Sequence, residues 1–276
     1  MSALRVVDFH SHLVDLAAAD AVMPSLEEAG VAARVISAPL EFHNNLEGIN
    51  DAIAELVDPH PGRLYGLAAV DAYGGDEAAA ELERSVKQLG LRGVFMESAK
   101  GNLLPDAPEA RPMLAAAAEL GVPVLLHPVA DPQLAGRFKR FGRLGGRLTR
   151  STINSAALVA LLAGGALEAL PGLRVVVTAL AFGGVVLASE SAERAKLRQV
   201  YIDTTGMNRV AIRGSIEILG ADHVLTGTDW PVVQEKALPA TLEAMFDGFG
   251  LEAGARRAIA GENALRLLGA NMVTVT

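Results

Sequence analysis

Residues 4–12 read LRVVDFHSH. An aliphatic, β-branched run over 4–9 leads directly into two histidines spaced two apart. Such a run reads as a strand buried on both faces. Seven further runs of the same kind occupy residues 33–37, 64–70, 91–96, 123–126, 173–178, 199–202 and 223–226. Helical patterns separate most of them. Residues 76–89 carry apolar positions at helical spacing and stop at Gly90, and 107–120 behave likewise before Gly121. Residues 156–170, 212–219 and 238–249 continue the alternation, and 252–268 close it. Buried strands that each lead into a helix imply a parallel sheet. Eight such units in about 250 residues match a (β/α)8 TIM barrel, an α/β fold formed as a single domain over residues 1–276. An open doubly wound sheet is the rival, weakened because no GxGxxG follows the first strand.

Composition agrees with a large apolar core. Of 276 residues, 51% are hydrophobic and only 20% charged, which excludes a disordered chain. The 32 acidic residues exceed the 24 basic ones, for a net charge of -8, so a nucleic-acid partner is not expected. The absence of cysteine removes disulfides, thiolate nucleophiles and cysteine metal sites. The start, MSALRVVDFHSHLV, has no basic region followed by an apolar one. The longest apolar runs, near 156–167 and 175–188, are broken by Gly or Thr and fall short of the roughly 20 residues of a membrane span. A cytoplasmic enzyme with no membrane partner is expected, and a homodimer is one assembly open to it.

In a barrel of this kind the active site lies at the C-terminal ends of the strands. Those ends carry Asp8, His10 and His12, then Glu41 and His43, Asp71, Glu97 and Lys100, His127, Thr178, Asp203 to Thr205, and Asp229. Four of the six histidines share this rim. With a period of two along a strand, His10 and His12 point the same way. His127 adds a third imidazole and Asp229 a carboxylate. Three or four such ligands with a position left for water describe a catalytic site for one divalent metal, zinc first and manganese second. A lone HxH would carry little, and a packed His127 is the plain alternative.

Six stretches extend the pattern: 49–70 (INDAIAELVDPHPGRLYGLAAV), 89–104 (LGLRGVFMESAKGNLL), 120–128 (LGVPVLLHP), 166–177 (ALEALPGLRVVV), 218–231 (ILGADHVLTGTDWP) and 261–269 (GENALRLLG). Together with VDFHSH they resemble the amidohydrolase superfamily, in its amidohydrolase-2 branch typified by α-amino-β-carboxymuconate-ε-semialdehyde decarboxylase. The resemblance implies a distorted (β/α)8 barrel and one zinc. It implies His10, His12 and His127 as metal ligands, with Asp229 as a ligand or as the acid/base beside metal-bound water. One departure stands out. Members of that branch carry a histidine shortly before Gly-Gly after the sixth strand, whereas residues 175–184 here read VVVTALAFGG. Thr178 cannot move a proton near neutral pH as an imidazole can.

Without that histidine, metal-dependent hydrolysis is the leading expectation. The substrate would be a small amide, imide, lactone or carboxylated ring compound, with Asp229 as acid/base and His43 as auxiliary. Non-oxidative decarboxylation of a small unsaturated or aromatic acid is the alternative, and a non-catalytic binding homologue the third. Glu97, Lys100, Thr178 and Trp230 are the candidate contacts to a small, anionic substrate. Each has a plain structural alternative: a helix start, a solvated loop, a hydrogen-bonded threonine, a core tryptophan. Residues 136–150, GRFKRFGRLGGRLTR, carry six cations and no acid, and read as a loop that could attract an anion, fold over the site or touch a second subunit.

Overall fold

The structure, a computed structural model, describes residues 4–42 and 45–270. The aliphatic runs form nine strands: β1 Val7–His12, β2 Ala33–Ser37, β3 Leu64–Gly66, β4 Ala68–Ala69, β5 Val94–Glu97, β6 Val124–His127, β7 Val175–Val177, β8 Val200–Asp203 and β9 Val224–Leu225. All pairings are parallel, in the orders β1-β2-β3 and β4 through β9. β3 and β4 are halves of one barrel strand. The Leu67 amide between them donates to Ile36 of β2, and the Ala68 amide donates to Gly93 beside β5. The barrel closes where the Phe9 amide donates to Thr226 and the His12 amide to Trp230. Eight strand positions result, the (β/α)8 barrel that the sequence implies.

Alternate strand residues sort by face, as period-two geometry requires. Phe9, Val35, Phe95, Leu125, Val176 and Leu225 fill the interior, joined by Leu265 and Leu267 of the last helix, Asn263–Leu267. Their neighbours, such as Val94, Met96, Val124 and Leu126, pack outward against the helices. Helix Asp76–Lys87 shows why the outer layer forms. Ala78, Leu82 and Ser85 make its buried stripe, acids open its first turn and Arg84 and Lys87 close its last, matching the helix dipole. Among the described residues, no helix is long and apolar enough to cross a membrane.

Two expectations need correction. The first strand does not stop at Phe9 but continues through His12. Residues 136–150 do not form a loop. They fall on a helix, Pro132–Phe138, and on the long helix Gly142–Ala163, separated by a short 3-10 turn. The Asp131 carboxylate caps the first by accepting the Leu134 amide at 2.7 Å. The early buried stripe of the second consists of Gly145 and Thr149 before Ile153 and Ala157 take over, so the hydrophobic period is invisible in its first two turns. At Gly145 a Cβ would come 2.1 Å from the Phe138 carbonyl oxygen, so glycine is what lets the two helices meet.

Candidate metal centre

β1 presents both of its imidazoles at the barrel mouth because its register slips between Asp8 and Ser11. Val7 and Phe9 point into the interior, so an unbroken pleat would turn His10 and His12 outward. The slip reverses the phase and brings them in beside His127, which shares its face with Leu125 on β6. Gly227, just past β9, leaves room for this: a Cβ there would lie 2.8 Å from the His10 Cβ and 3.1 Å from that of Asp203.

The ring nitrogens converge. His10 Nε2 lies 3.0 Å from His12 Nε2, which lies 3.2 Å from His127 Nε2. Asp229 Oδ1 stands 3.2 Å from His12 Nε2 and 3.6 Å from His10 Nε2. The four donor atoms all lie within 4.8 Å of one another. Neighbouring groups set the tautomers. His10 Nδ1 is 2.6 Å from Asp203 Oδ2, an acceptor only, so Nδ1 carries the proton and Nε2 the lone pair. Ser37 Oγ donates to the Ser11 carbonyl and so accepts from His12 Nδ1 at 2.8 Å, leaving His12 Nε2 a lone pair as well. His127 bonds the carbonyl of Pro128. Nitrogen lone pairs facing each other at such distances repel unless a cation sits among them, which is the requirement of a divalent metal site.

Electrostatics point the same way. Burial, then the neighbouring His12 and His10, holds His127 well below the usual imidazole range, and burial also lowers His12. Burial would lower His10 too, but the charge and hydrogen bond of Asp203 outweigh it and raise this group. Burial would raise Asp229, yet its close approach to His12 and the nearness of both strand-one imidazoles bring it down. Asp229 occupies the left-handed region at φ 72°, held by its amide donating to the His10 carbonyl at 2.8 Å and by the Trp230 amide donating to Thr228 Oγ1.

Beneath this turn lies a network that sequence reading did not single out. Asp8, fully buried, accepts from Arg34 Nε, Ser11 Oγ, Thr228 Oγ1 and the Thr228 amide at 2.7–3.2 Å. It ties β1 and β2 to the segment that presents Asp229.

A cleft of about 310 Å³ opens beside His127. Pro39, Phe95 and Pro128 give it an apolar wall, while Glu41, Glu97, Asp131, Lys100 and Arg150 line its polar parts. Burial, then the charges of Glu41 and Asp71, raises Glu97 above the usual carboxyl range. Lys100 pairs with Asp71. The other two candidate substrate contacts are placed elsewhere. Thr178 is 1% exposed and accepts from Asn154 at 2.9 Å, and Trp230 is buried in the outer core with the Arg34 guanidinium over its ring. His43 lies outside the described residues.

A family model described as Amidohydrolase matches residues 7–270. The chain is 23% identical to 2-amino-3-carboxymuconate-6-semialdehyde decarboxylase of Dictyostelium discoideum, over 80% of this chain and 65% of the relative. It is 29% identical to gamma-resorcylate decarboxylase of Rhodococcus jostii (strain RHA1), over 66% of this chain and 64% of the relative. The chain thus spans slightly less than two thirds of the length of these relatives. In fold it is similar to a dihydroxybenzoic acid decarboxylase from Polaromonas sp. JS666 with bound manganese and the inhibitor 2-nitroresorcinol. That similarity has a TM-score of 0.81 at 20% identity and covers 98% of this chain and 97% of the other. These relatives are decarboxylases, which overturns the expectation of hydrolysis and favours its alternative.

Proposed function

Since the chain belongs to the amidohydrolase family, we propose that it is a metal-dependent, non-oxidative decarboxylase, a carboxy-lyase for a small aromatic or unsaturated acid, built as one unit over residues 1–276. The observation that carries this reading is the convergence of imidazole lone pairs and one carboxylate beside a cleft with an apolar wall. The names of the relatives supply the choice of reaction.

His10, His12 and His127, with Asp229 as fourth donor, would hold one divalent ion. Zinc and manganese both suit this donor set. When bound, the ion supplies positive charge that fixes the acid's oxygens and offsets their negative charge. The chain's own residues do the rest. Phe95, Pro39 and Pro128 pack against the ring or double bond and keep water from it. In that setting a carboxylate is poorly solvated, and its departure as neutral carbon dioxide is favoured. The electron pair of the broken bond stays on carbon, so one proton must arrive there. Asp229 carries that proton. Its carboxyl stands at the centre, and its side chain is 25% exposed, so solvent can recharge it. Its low pKa makes the protonated form scarce but a strong acid. Thr178, buried against Asn154, does not stand in for the missing histidine.

The test is direct. Metal-loaded protein is offered gamma-resorcylate, other ortho-hydroxybenzoates and short unsaturated diacids. One carbon dioxide should form per product, and in heavy water one deuterium should appear at the vacated carbon. Metal-loaded protein that releases carbon dioxide from none of these acids contradicts the proposal.

The orientation of His10 gives a second expected result. Asp203 also accepts the Ala179 and Thr205 amides through Oδ1, so its carboxylate is immobilised before it meets the imidazole. Asp203→Ala frees the ring and should weaken divalent-ion affinity by about 10–100-fold. Chelator competition measures it, and an unchanged affinity would show that Asp203 does not orient the ligand.

A further inference from the structure

The cleft beside His127 is lined by three carboxylates, Glu41, Glu97 and Asp131, and by two cations, Lys100 and Arg150. Glu41 and Glu97 enter from the segment after β2 and from the end of β5. Arg150 enters from the other side of β6, on helix Gly142–Ala163. Lys100, the other cation lining the cleft, is paired with Asp71. Arg150 forms no hydrogen bond or ion pair with any described residue. Its guanidinium is close enough to the centre for its charge to act on both His127 and Asp229. The helix around it explains why it faces the cleft. Thr149 is buried and Leu148 points outward, so Arg150 sits at the edge of the packed stripe, where its stem can lie along the wall and its head can enter. Arg150 is itself exposed to solvent, and among the other cations of residues 136–150 Arg140 stacks on Phe141.

A guanidinium without an ion pair among the described residues, in a cleft whose other cation is already paired, is a receptor for a carboxylate, because its paired N–H groups match two oxygens. We propose that Arg150 is a specificity-determining residue that receives a second carboxylate of the substrate, one that is not lost in the reaction. This rests on the decarboxylase reading and adds a substrate class to it: planar diacids whose spare carboxylate turns toward Arg150 of helix Gly142–Ala163.

Non-reacting probes test this by binding alone. Benzoate and benzene-1,3-dicarboxylate are titrated calorimetrically into the metal-loaded full chain. The diacid should bind wild type roughly five- to tenfold more tightly than benzoate, the range for a partly exposed charge pair. Arg150→Gln should abolish that preference with metal content unchanged, and Arg150→Lys should restore part of it, since a lysine keeps the charge but not the fork. A preference that survives in Arg150→Gln, or that is absent in wild type while benzoate still binds, overturns the role of Arg150 and leaves the decarboxylase reading intact. Wild type that takes up no metal, or binds neither acid when loaded, removes the underlying reading and the role of Arg150 together.

Discussion

Asp229→Asn should lower the rate of carbon dioxide release by about 10²–10⁴-fold, the usual contribution of a positioned acid/base group. The change is nearly isosteric, and asparagine tolerates the left-handed backbone at this position almost as well as aspartate. The amide bond to the His10 carbonyl does not involve the side chain, so the turn should persist. What is lost is the carboxylate of the four-donor cluster, since an amide has no acidic proton to deliver to carbon. The three imidazoles remain, so elemental analysis should still find much of the metal. Release at near wild-type rate with metal retained would remove Asp229 from the chemistry. Glu97 would then be the next donor to test, because burial and the nearby Glu41 and Asp71 keep a larger share of it protonated.

The barrel could be read from the sequence because each buried parallel strand is a continuous aliphatic run, a signal that needs no knowledge of its partners. The candidate metal ligands are visible for a related reason. They stand at strand ends, and strand ends share one rim whatever the details of packing. The groups that aim them were not visible. Ser37 lies 25 residues from His12, and Asp203 lies 193 residues from His10, so their pairing exists only after closure. The phase slip in β1 was equally hidden, since the period alone says that the two histidines agree with each other but not which way they face. The first turns of helix Gly142–Ala163 are concealed by the glycine and threonine that their close contacts require, while its end falls within the helical pattern read from residue 156. In the sequence Arg150 is one cation of a basic segment, and only its place on that helix brings it to the cleft. Thr178 and Trp230 lie at the right end of the barrel, but their side chains turn into the packing rather than toward the cleft. The reaction itself was underdetermined, because three imidazoles and a carboxylate serve hydrolysis and decarboxylation alike.

The second large effect concerns stability. Asp8→Ala should destabilise the fold by about 3–5 kcal/mol, the cost of stranding a buried charge. Arg34 is 1% exposed, its Nε donates to Asp8 Oδ2 at 3.2 Å, and the same oxygen accepts Thr228 Oγ1 at 2.7 Å. Without Asp8 the guanidinium keeps the Ser25 hydroxyl and the face of Trp230 but no counter-charge, and the Thr228 amide loses its acceptor. For a chain of this size the melting temperature should fall by roughly 10 °C. The double variant Asp8→Ala/Arg34→Met separates the two contributions. It removes both charges, so it should recover much of the loss if the stranded guanidinium dominates. A single variant that loses less than about 1 kcal/mol would show that water reaches Arg34 and that the pair is no more than a surface-like ion pair. The consequence extends to the metal centre, because Thr228 immediately precedes Asp229. If the double variant regains stability yet still binds metal weakly, Asp8 is needed to hold the Asp229 turn as well as to balance Arg34.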